Sequence, residues 1–259
     1  MHSHIFTNKN GNTLMREFEG VLSNNPTIKN LDAVVGFLRA SGYFTLRPFL
    51  DNINKARVLV GINVDKYIAE AVRQGKIFFG AEDEVKEDCL RQIRNDIEHA
   101  GYKEEIEQGI FQMVKDLNDG KLELRAHPSK RIHAKIYVLY PDNFNQYTGG
   151  IAITGSSNLS GNGLGISEDK QYEFNVKLSQ YDDVQYAKDE FEELWKEAEG
   201  CEIKADDITA NIRKTYLNGD ISPYDLYIKM LMEYFSDRVM ESDNESTLEE
   251  KKKKKKKKK

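Results

Sequence analysis

Short stretches of alternating or unbroken apolar residues run through the chain, separated by stretches whose apolar positions recur every three or four residues. Alternation places successive side chains on opposite faces of a strand, whereas spacings of three and four place them on one face of a helix. The segments with strand patterns are 32–37, 57–62, 122–126, 131–139, 150–154 and 172–178. The segments with helical patterns are 13–23, 43–54, 65–74, 184–198, 206–216 and 223–235.

The order of these segments predicts an α/β fold. Strand, helix and strand follow one another between residues 32 and 62, which is typical of a layer with a partly parallel sheet. The highly charged segment 82–117 has the pattern of a helical pair that breaks at Gly101 and is inserted between the two sheet-forming halves. Its acidic residues form either a solvated face or a surface for a partner. We therefore expect a mixed sheet flanked by helices, with a helical C-terminal extension.

The pattern along the chain also predicts three regions. Residues 1–200 are expected to form the main domain, with 82–117 as its helical insertion. Residues 201–241 are expected to form a helical extension or a linker toward a downstream module. Residues 242–259 are polar and lysine-rich, which predicts a disordered tail.

The composition is typical of a soluble globular protein, with 39% hydrophobic and 31% charged residues in a chain of 259. No apolar run has the length that a membrane span needs, and no signal-peptide pattern follows Met1. The two cysteines, Cys89 and Cys201, match no metal-ligand spacing. We expect a reduced, cytoplasmic protein without a disulfide, a metal ion, a cofactor or a membrane partner.

The charge is unevenly distributed. Residues 251–259 are nine consecutive lysines, and without those nine the formal net charge of −5 would be −14. Such a tail either holds nucleic acid through counterion release or is an artefact of cloning or of a frameshift. The acidic remainder argues against broad, non-specific coating of DNA, so we expect any nucleic-acid footprint to be local.

Candidate chemistry is concentrated in two short motifs. His133 and Lys135 lie two positions apart in a strand pattern, which predicts that both face one side while Ile132 and Ala134 face a core. The next apolar segment ends in the sequence Gly-Ser-Ser-Asn at 155–158. Glycine permits a close backbone approach, and Ser and Asn supply hydrogen bonds to anionic oxygens. The two motifs therefore predict a site for a phosphate group.

The pattern H-x-K followed by G-S-x-N resembles the signature of the phospholipase D superfamily. Glu173, in the sequence Tyr-Glu-Phe-Asn-Val, lies where the nuclease branch of that superfamily carries an acidic residue. The segments 31–42 and 57–64 resemble the first half of the same domain. Over residues 5–235 the chain is similar to the N-terminal domain of bacterial superfamily 2 helicases of restriction or defence type.

The resemblance implies roles for five catalytic residues. His133 would act as nucleophile and, from a second copy of the chain, as general acid. Lys135, Asn158 and Ser156 would bind the phosphate oxygens, and Glu173 would accept a hydrogen bond from His133 Nδ1–H and fix the imidazole tautomer. Because the sequence holds a single H-x-K, the resemblance implies a homodimer with a shared site and no need for a metal ion.

One position departs from the family pattern. The family places an Asp five residues after the Lys, whereas this chain has Tyr140 there and Asp142 two residues further on. That Asp is structural in the family, so the departure leaves the phosphate chemistry in place and makes a lipase less plausible.

Four further residues are candidates for substrate binding. Arg39 and Ser41 follow the first apolar strand and either reach the cleft edge or, for Ser41, cap a helix. Lys130 and Arg131 either contact flanking phosphates or are simply solvated.

These features favour a metal-independent phosphodiesterase that cleaves DNA, alone or as the nuclease part of a helicase or restriction system. The alternative is a catalytically weak module for DNA docking and dimerisation, and a lipid phosphodiesterase is the least favoured. The choice between DNA and RNA, the strandedness and the base preference stay open, because phosphate contacts carry no sequence information.

Overall fold

A computed structural model describes residues 4–9, 11–61, 86–87, 89–91, 93–94, 104–128, 132–166, 171–212, 227–228 and 230–231. The strands in this part of the chain are β1 Ile5–Thr7, β2 Asn30–Val35, β3 Lys55–Val60, β4 Leu122–Ala126, β5 Ile136–Tyr140, β6 Ile151–Gly155, β7 Phe174–Leu178 and β8 Glu202–Ile203. The helices are α1 Leu14–Asn24, α2 Ala40–Leu46, α3 Glu104–Asn118, α4 Gly161–Leu164, α5 Tyr181–Glu197 and α6 Ala205–Ile212, and a 3₁₀ turn spans Arg47–Leu50.

The strands of the described residues form one mixed sheet in the order β1-β7-β6-β5-β2-β3-β4-β8. The neighbours β2, β3 and β4 run parallel, and the other pairings are antiparallel. Parallel neighbours need crossover connections, and α2 supplies the crossover from β2 to β3. This architecture confirms the predicted α/β class with a mixed sheet flanked by helices.

Helices cover both faces of the sheet. Alternate residues of β2 divide between two cores: Leu31 and Ala33 join the large core formed with α1, α2 and α3, while Val34 packs with Phe191 and Trp195 of α5. In a sheet that is covered on both faces, the side chains on both sides of each strand are apolar. Reactive polar groups are therefore left to the ends of the strands.

This packing corrects the prediction for the segment 131–139. The strand begins only at Ile136, and His133 and Lys135 lie in the irregular segment before it. The predicted polar face is not open, because Tyr137 is buried and its ring packs edge-on against Phe18 of α1 at 5.2 Å between ring centroids. Ala134, which was predicted to face a core, is exposed.

Several predicted boundaries differ from the observed ones for local reasons. Thr13 caps α1, because its hydroxyl accepts from Arg16 N–H at 3.2 Å. The helix predicted at 43–54 begins at Ala40 and gives way to a 3₁₀ turn at Arg47. Pro48, which has no N–H to donate, lies at the start of that turn.

The region after residue 200 contributes to the sheet domain. Strand β8 pairs with β4, and Ile203 and Ile208 are buried in the large core. Both β8 and α6 lie in the segment that the sequence analysis assigned to a helical extension. The predicted helix 65–74, the Gly101 break, most of 223–235 and the tail 242–259 lie outside the described residues.

Two statements from the composition analysis can be compared with the described residues. Within them, Cys89 and Cys201 are both buried. Among the helices of those residues, none combines the length and the apolar character that crossing a bilayer requires.

A buried ion cluster lies between the sheet and α5. Arg57 donates to both carboxylate oxygens of Asp32, at 2.6 and 2.7 Å, and reaches Glu192 of α5 at 2.6 Å. Its guanidinium lies 4.7 Å from the centroid of the Phe191 ring. Tyr140, at the position where the family carries Asp, donates its hydroxyl to Asp32 at 2.7 Å.

The electrostatics of this cluster follow from its contacts. The hydrogen bond from Arg57 is the main reason that the pKa of Glu192 is lowered, in spite of partial burial. Burial, and then the charge of Asp32, raise the pKa of the Tyr140 phenol. Asp142, the acidic residue nearest to the family's Asp position, lies just after the end of β5, where it accepts from Asn30 Nδ2 at 2.8 Å. Tyr140 and Asp142 thus both have structural contacts.

We expect Arg57→Leu to lower the free energy of unfolding by about 3–5 kcal/mol, because it leaves the buried Asp32 carboxylate without its partner. Urea denaturation followed by circular dichroism measures this loss. Lys55→Leu on the same strand is the matched control: its ion pair with Glu123 is solvent-exposed, and its removal should change stability by about 1 kcal/mol or less. Equal losses in the two variants would contradict this account of the cluster.

Candidate active site

The candidate catalytic residues gather at one edge of the sheet. The register places Val34 of β2 beside Ile136 of β5, and Gly155 of β6 beside Asn175 of β7. The strand ends therefore meet at one side of the sheet: β2 and β6 end there, and β5 and β7 begin there. We call this side the catalytic edge. Thr7, the last residue of β1, pairs with Phe174 and lies at the same edge.

Gly36 marks the point where Lys135 and Asn158 meet. A Cβ atom built on Gly36 would lie 3.2 Å from Asn158 Oδ1 and 3.5 Å from Lys135 Nζ. The Lys135 ammonium also donates to the backbone carbonyl of His133 at 2.5 Å. The two motifs, far apart in the sequence, thus bring an ammonium and a carboxamide to one place, as the sequence analysis expected for a phosphate site.

The hydrogen bonds of Asn158 fix the orientation of its amide. Oδ1 accepts from the backbone N–H groups of Gly36, at 2.9 Å, and Phe37, at 3.2 Å. An amide whose oxygen accepts two N–H donors presents its Nδ2 group on the other side. Within the described residues Nδ2 makes no hydrogen bond, so it can donate to an anionic oxygen.

His133 lies on the surface of the catalytic edge. Its side chain is exposed, and within the described residues it makes no hydrogen bond. The backbone of Lys135, two residues on, accepts from Gly155 N–H at 3.3 Å, which ties the segment that carries His133 to the start of the Gly-Ser-Ser-Asn turn. The imidazole is therefore accessible to a ligand from solvent.

Glu173 and Ser156 form a second pair at this edge. The Ser156 hydroxyl donates to Glu173 Oε2 and accepts from Phe174 N–H at 3.0 Å. Glu173 is largely buried, and its backbone N–H donates to Asn8 Oδ1 at 3.2 Å. No hydrogen bond joins Glu173 to His133 within the described part of the chain, so the expected contact between them stays a prediction.

Buried polar residues behind the turn hold it in place. The Tyr137 hydroxyl donates to Ser157 O at 2.9 Å, and Asn175 Nδ2 donates to Ser157 Oγ at 2.9 Å. Burial, and then the nearby charge of Glu173, raise the pKa of the Tyr137 phenol. Ser157 is fully buried and supports the turn instead of facing a ligand.

Sequence reasoning missed three of the residues that build the site. Gly36 lies in the segment 31–42 that resembles the family, but neither it nor Asn8 was given a role, and their contacts join segments more than a hundred residues apart. Asn175 had a signal, because an amide between the apolar positions of a strand requires a buried partner.

The predicted substrate-binding residues fall into two groups. Arg39 N–H donates to Leu159 O at 3.0 Å, and the Arg39 guanidinium lies 5.8 Å from the centroid of the Phe37 ring, so Arg39 is at the catalytic edge. Ser41 is exposed in the first turn of α2, and the N-cap position belongs to Arg39. Lys130 and Arg131 lie outside the described residues.

The groups at this edge are suited to an anion with several oxygens. An ammonium, an amide N–H₂ and an imidazole can all donate to phosphate oxygens, and charged donors make the stronger bonds. The Ser156 hydroxyl, which was predicted to bind phosphate oxygens, instead donates its single proton to Glu173. Among the described residues, His, Cys, Asp and Glu side chains form no group of three arranged to hold a metal ion.

Close packing against the neighbouring strand requires glycine at position 155, where the turn begins. A Cβ atom on Gly155 would overlap the backbone carbonyl of Phe174 on the neighbouring strand. We expect Gly155→Ala to lower the free energy of unfolding by about 1–3 kcal/mol, as measured by thermal and urea unfolding. Gly20→Ala is the matched control: no atom lies within 4 Å of its added Cβ, and alanine at this exposed position should stabilise helix α1 by roughly 0.5–1 kcal/mol. A Gly155→Ala protein as stable as the native chain would show that β6 and β7 are not packed in this way.

Comparisons with known proteins bear on the fold and on the family. A comparison with the curated proteins gives no match. Among solved structures, the phosphatidylserine synthase of Haemophilus influenzae is similar at 12% identity with a TM-score of 0.46, over 92% of this chain and 46% of that one. TrmBL2, an archaeal chromatin protein whose structure shows a mode of DNA binding, is similar at 14% identity with a TM-score of 0.37, over 75% of this chain and 53% of that one. The chain thus spans about half the length of each, and neither likeness is close enough to assign a function.

The family comparison concerns the second half of the sheet and the helices around it. Residues 83–195, less than half of the chain, match the family model described as "Cardiolipin synthase, PLD-like domain". The matched segment contains all five catalytic candidates, His133, Lys135, Ser156, Asn158 and Glu173. In this segment the chain is similar to the PLD-like domain family, in agreement with the resemblance that the two motifs carry.

Proposed function

We propose that this protein is a metal-independent phosphodiesterase that cleaves DNA through a phosphohistidine intermediate. One observation carries the proposal: Lys135, Asn158 and an exposed His133 share the catalytic edge with the Ser156–Glu173 pair. The similarity of residues 83–195 to the PLD-like family supports the phosphodiester chemistry. We further propose that the chain is the nuclease part of a helicase or restriction system.

The reaction has two steps. In the first, Nε2 of one His133 attacks phosphorus, the bond to the leaving oxygen breaks, and a second His133 gives that oxygen a proton. In the second, the same second His133 removes a proton from water, whose oxygen attacks phosphorus and breaks the N–P bond. The first imidazole is released unchanged, and each catalytic group returns to its starting protonation state.

The remaining groups stabilise charge. Lys135 and the Asn158 Nδ2 group bind the non-bridging oxygens, where negative charge grows in the transition state. Because Oδ1 of Asn158 is already held by two backbone N–H groups, Nδ2 needs little reorganisation to bind them. Two copies of Lys135 would supply positive charge that a metal ion supplies in other phosphodiesterases.

We propose that Glu173 fixes the tautomer of the His133 imidazole. Its Oε2 accepts from Ser156, and within the described residues Oε1 accepts no hydrogen bond. Oε1 can therefore take the Nδ1–H of His133 once that exposed side chain turns toward it, which leaves Nε2 as the nucleophile.

The second histidine is proposed to come from a second copy of the chain. The sequence contains a single H-x-K, whereas the two steps need a nucleophile and a separate proton donor. A twofold-symmetric dimer places the same residue of both protomers at the axis, and the exposed position of His133 is compatible with such a contact.

We expect the intact chain to cleave DNA in excess EDTA, and His133→Ala to lower the rate at least about 10³-fold, because it removes the nucleophile and the proton donor together. Gel assays on single- and double-stranded DNA measure both rates. His4→Ala, which removes an exposed histidine away from the two motifs, should leave the rate unchanged.

The same assay separates the competing functions. An intact chain that binds DNA without cleaving it would overturn the nuclease in favour of a docking and dimerisation module. Cleavage of phospholipid in liposomes, with no cleavage of DNA, would overturn it in favour of a lipid phosphodiesterase. Cleavage that EDTA abolishes would contradict the metal-independent mechanism.

A shared site makes a separate prediction for mixed dimers. When native chains and His133→Ala chains carry different affinity tags and are co-expressed, the purified mixed dimer should be inactive, because each reaction needs both imidazoles. After free exchange of equal amounts, the mixture should show about one quarter of the activity of the same total amount of native chains. Light scattering checks that the chain is a dimer, and a mixed dimer with half of the native activity would show that each protomer works alone.

A further inference from the structure

Two exposed aromatic rings flank the side chains of the catalytic edge that are proposed to bind phosphate. Phe37 is 38% exposed, and its backbone N–H donates to Asn158 Oδ1. Tyr172 is 60% exposed and directly precedes Glu173, the partner of Ser156. The rings lie at opposite ends of the site, one after β2 and the other before β7.

Each ring has a cation over its face. The Arg39 guanidinium lies 5.8 Å from the centroid of the Phe37 ring, and Lys9 Nζ lies 4.9 Å from the centroid of the Tyr172 ring. Single-stranded nucleic acid stacks its bases on aromatic side chains and passes its phosphates along basic groups, so a ring beside a cation fits a surface of that kind. A base stacks on the ring, and the cation attracts the adjoining phosphate.

The turn after β6 lies between the two rings. Phe37 is joined to this turn through Asn158, and Leu38 bridges to Leu159, whereas the segment of Tyr172 is joined to it through the bond from Phe174 N–H to Ser156 Oγ. Each ring can therefore take a base of its own, on either side of the turn. The Lys135 and Asn158 groups, at β5 and β6, lie between them.

We infer that Phe37 and Tyr172 are stacking platforms, and that the substrate is single-stranded DNA whose unpaired bases lie on both sides of the bound phosphate. Duplex bases are paired and stacked on each other, so their faces are not available to either ring. The acidic remainder of the chain disfavours binding that rests on charge alone, which adds weight to the rings. The inference names the substrate class of the phosphodiesterase proposed above and rests on that function for its biological meaning.

Binding can be measured without cleavage. All variants are made in the full-length His133→Ala chain, and fluorescence anisotropy follows a labelled oligo(dT), an abasic oligonucleotide of equal length and a duplex of equal length. A salt concentration of about 0.2 M limits the contribution of the terminal lysines. We expect oligo(dT) to bind more tightly than the other two probes.

Loss of either ring should weaken binding of oligo(dT) by roughly five- to a hundred-fold, the range for one stacked base, and leave the abasic probe unchanged. Phe37→Ala and Tyr172→Ala test this, and Phe37→Trp, which keeps a stacking surface, should retain the affinity. Tyr147→Ala is the matched control, because Tyr147 is 87% exposed in the β5–β6 connection, at the opposite edge of the sheet.

Three outcomes would overturn the inference. They are duplex binding as tight as that of oligo(dT), unchanged affinity in both ring variants, and binding of anionic phospholipid vesicles in preference to every DNA probe. These results are independent of the cleavage assay. If the native chain cleaves DNA and the ring variants bind oligo(dT) normally, the stacking inference is wrong and the nuclease proposal stands. If the ring variants lose affinity but the native chain, which retains His133, cleaves no DNA, the nuclease proposal is wrong and the stacking inference stands.

Discussion

The carboxamide of Asn158 joins the two halves of this protein. Its oxygen accepts from the N–H groups at the end of β2, which belongs to the first half of the sheet, while its backbone belongs to the turn after β6. The contact spans 122 positions of sequence. It satisfies two backbone donors at the end of a buried strand, where an unpaired N–H would cost about 1–3 kcal/mol. The same contact leaves the amide nitrogen of Asn158 on the side away from these two N–H groups.

Burial of both sheet faces confines the chemistry to the strand ends. Tyr137 packs under α1 and Val138 under α5, so the interior of β5 offers no exposed position for a reactive group. At the catalytic edge the backbone must turn, and side chains there can remain polar without leaving a core. The same arrangement allows the hydroxyl of Tyr137 to support the turn from below while its ring is part of the core.

The buried cluster around Arg57 shows how the core tolerates charge near α5. Arg57 pairs with Asp32, Glu192 and the hydroxyl of Tyr140, so each buried group has a partner. An ion pair of this kind does not by itself make a protein more stable than an apolar core would, but loss of one member is costly. Tyr140, the one departure from the family motif, is therefore a structural residue that serves the sheet and α5.

The sequence by itself determined the type and order of most described elements. Alternation, helical spacing and the Thr13 cap depend on neighbouring residues, so they can be recognised locally. The motif spacing also identified the candidate residues, and Lys135 and Asn158 do meet at Gly36.

Only the tertiary structure decided which groups contact each other. The burial of Tyr137, the pairing of Ser156 with Glu173 and the support from Asn8 all depend on segments that are distant in sequence. A local pattern gives the two faces of a strand but not what covers them, and helices on both sides covered both. The sheet order and the turn after β6 also place Phe37 and Tyr172 on either side of the candidate site.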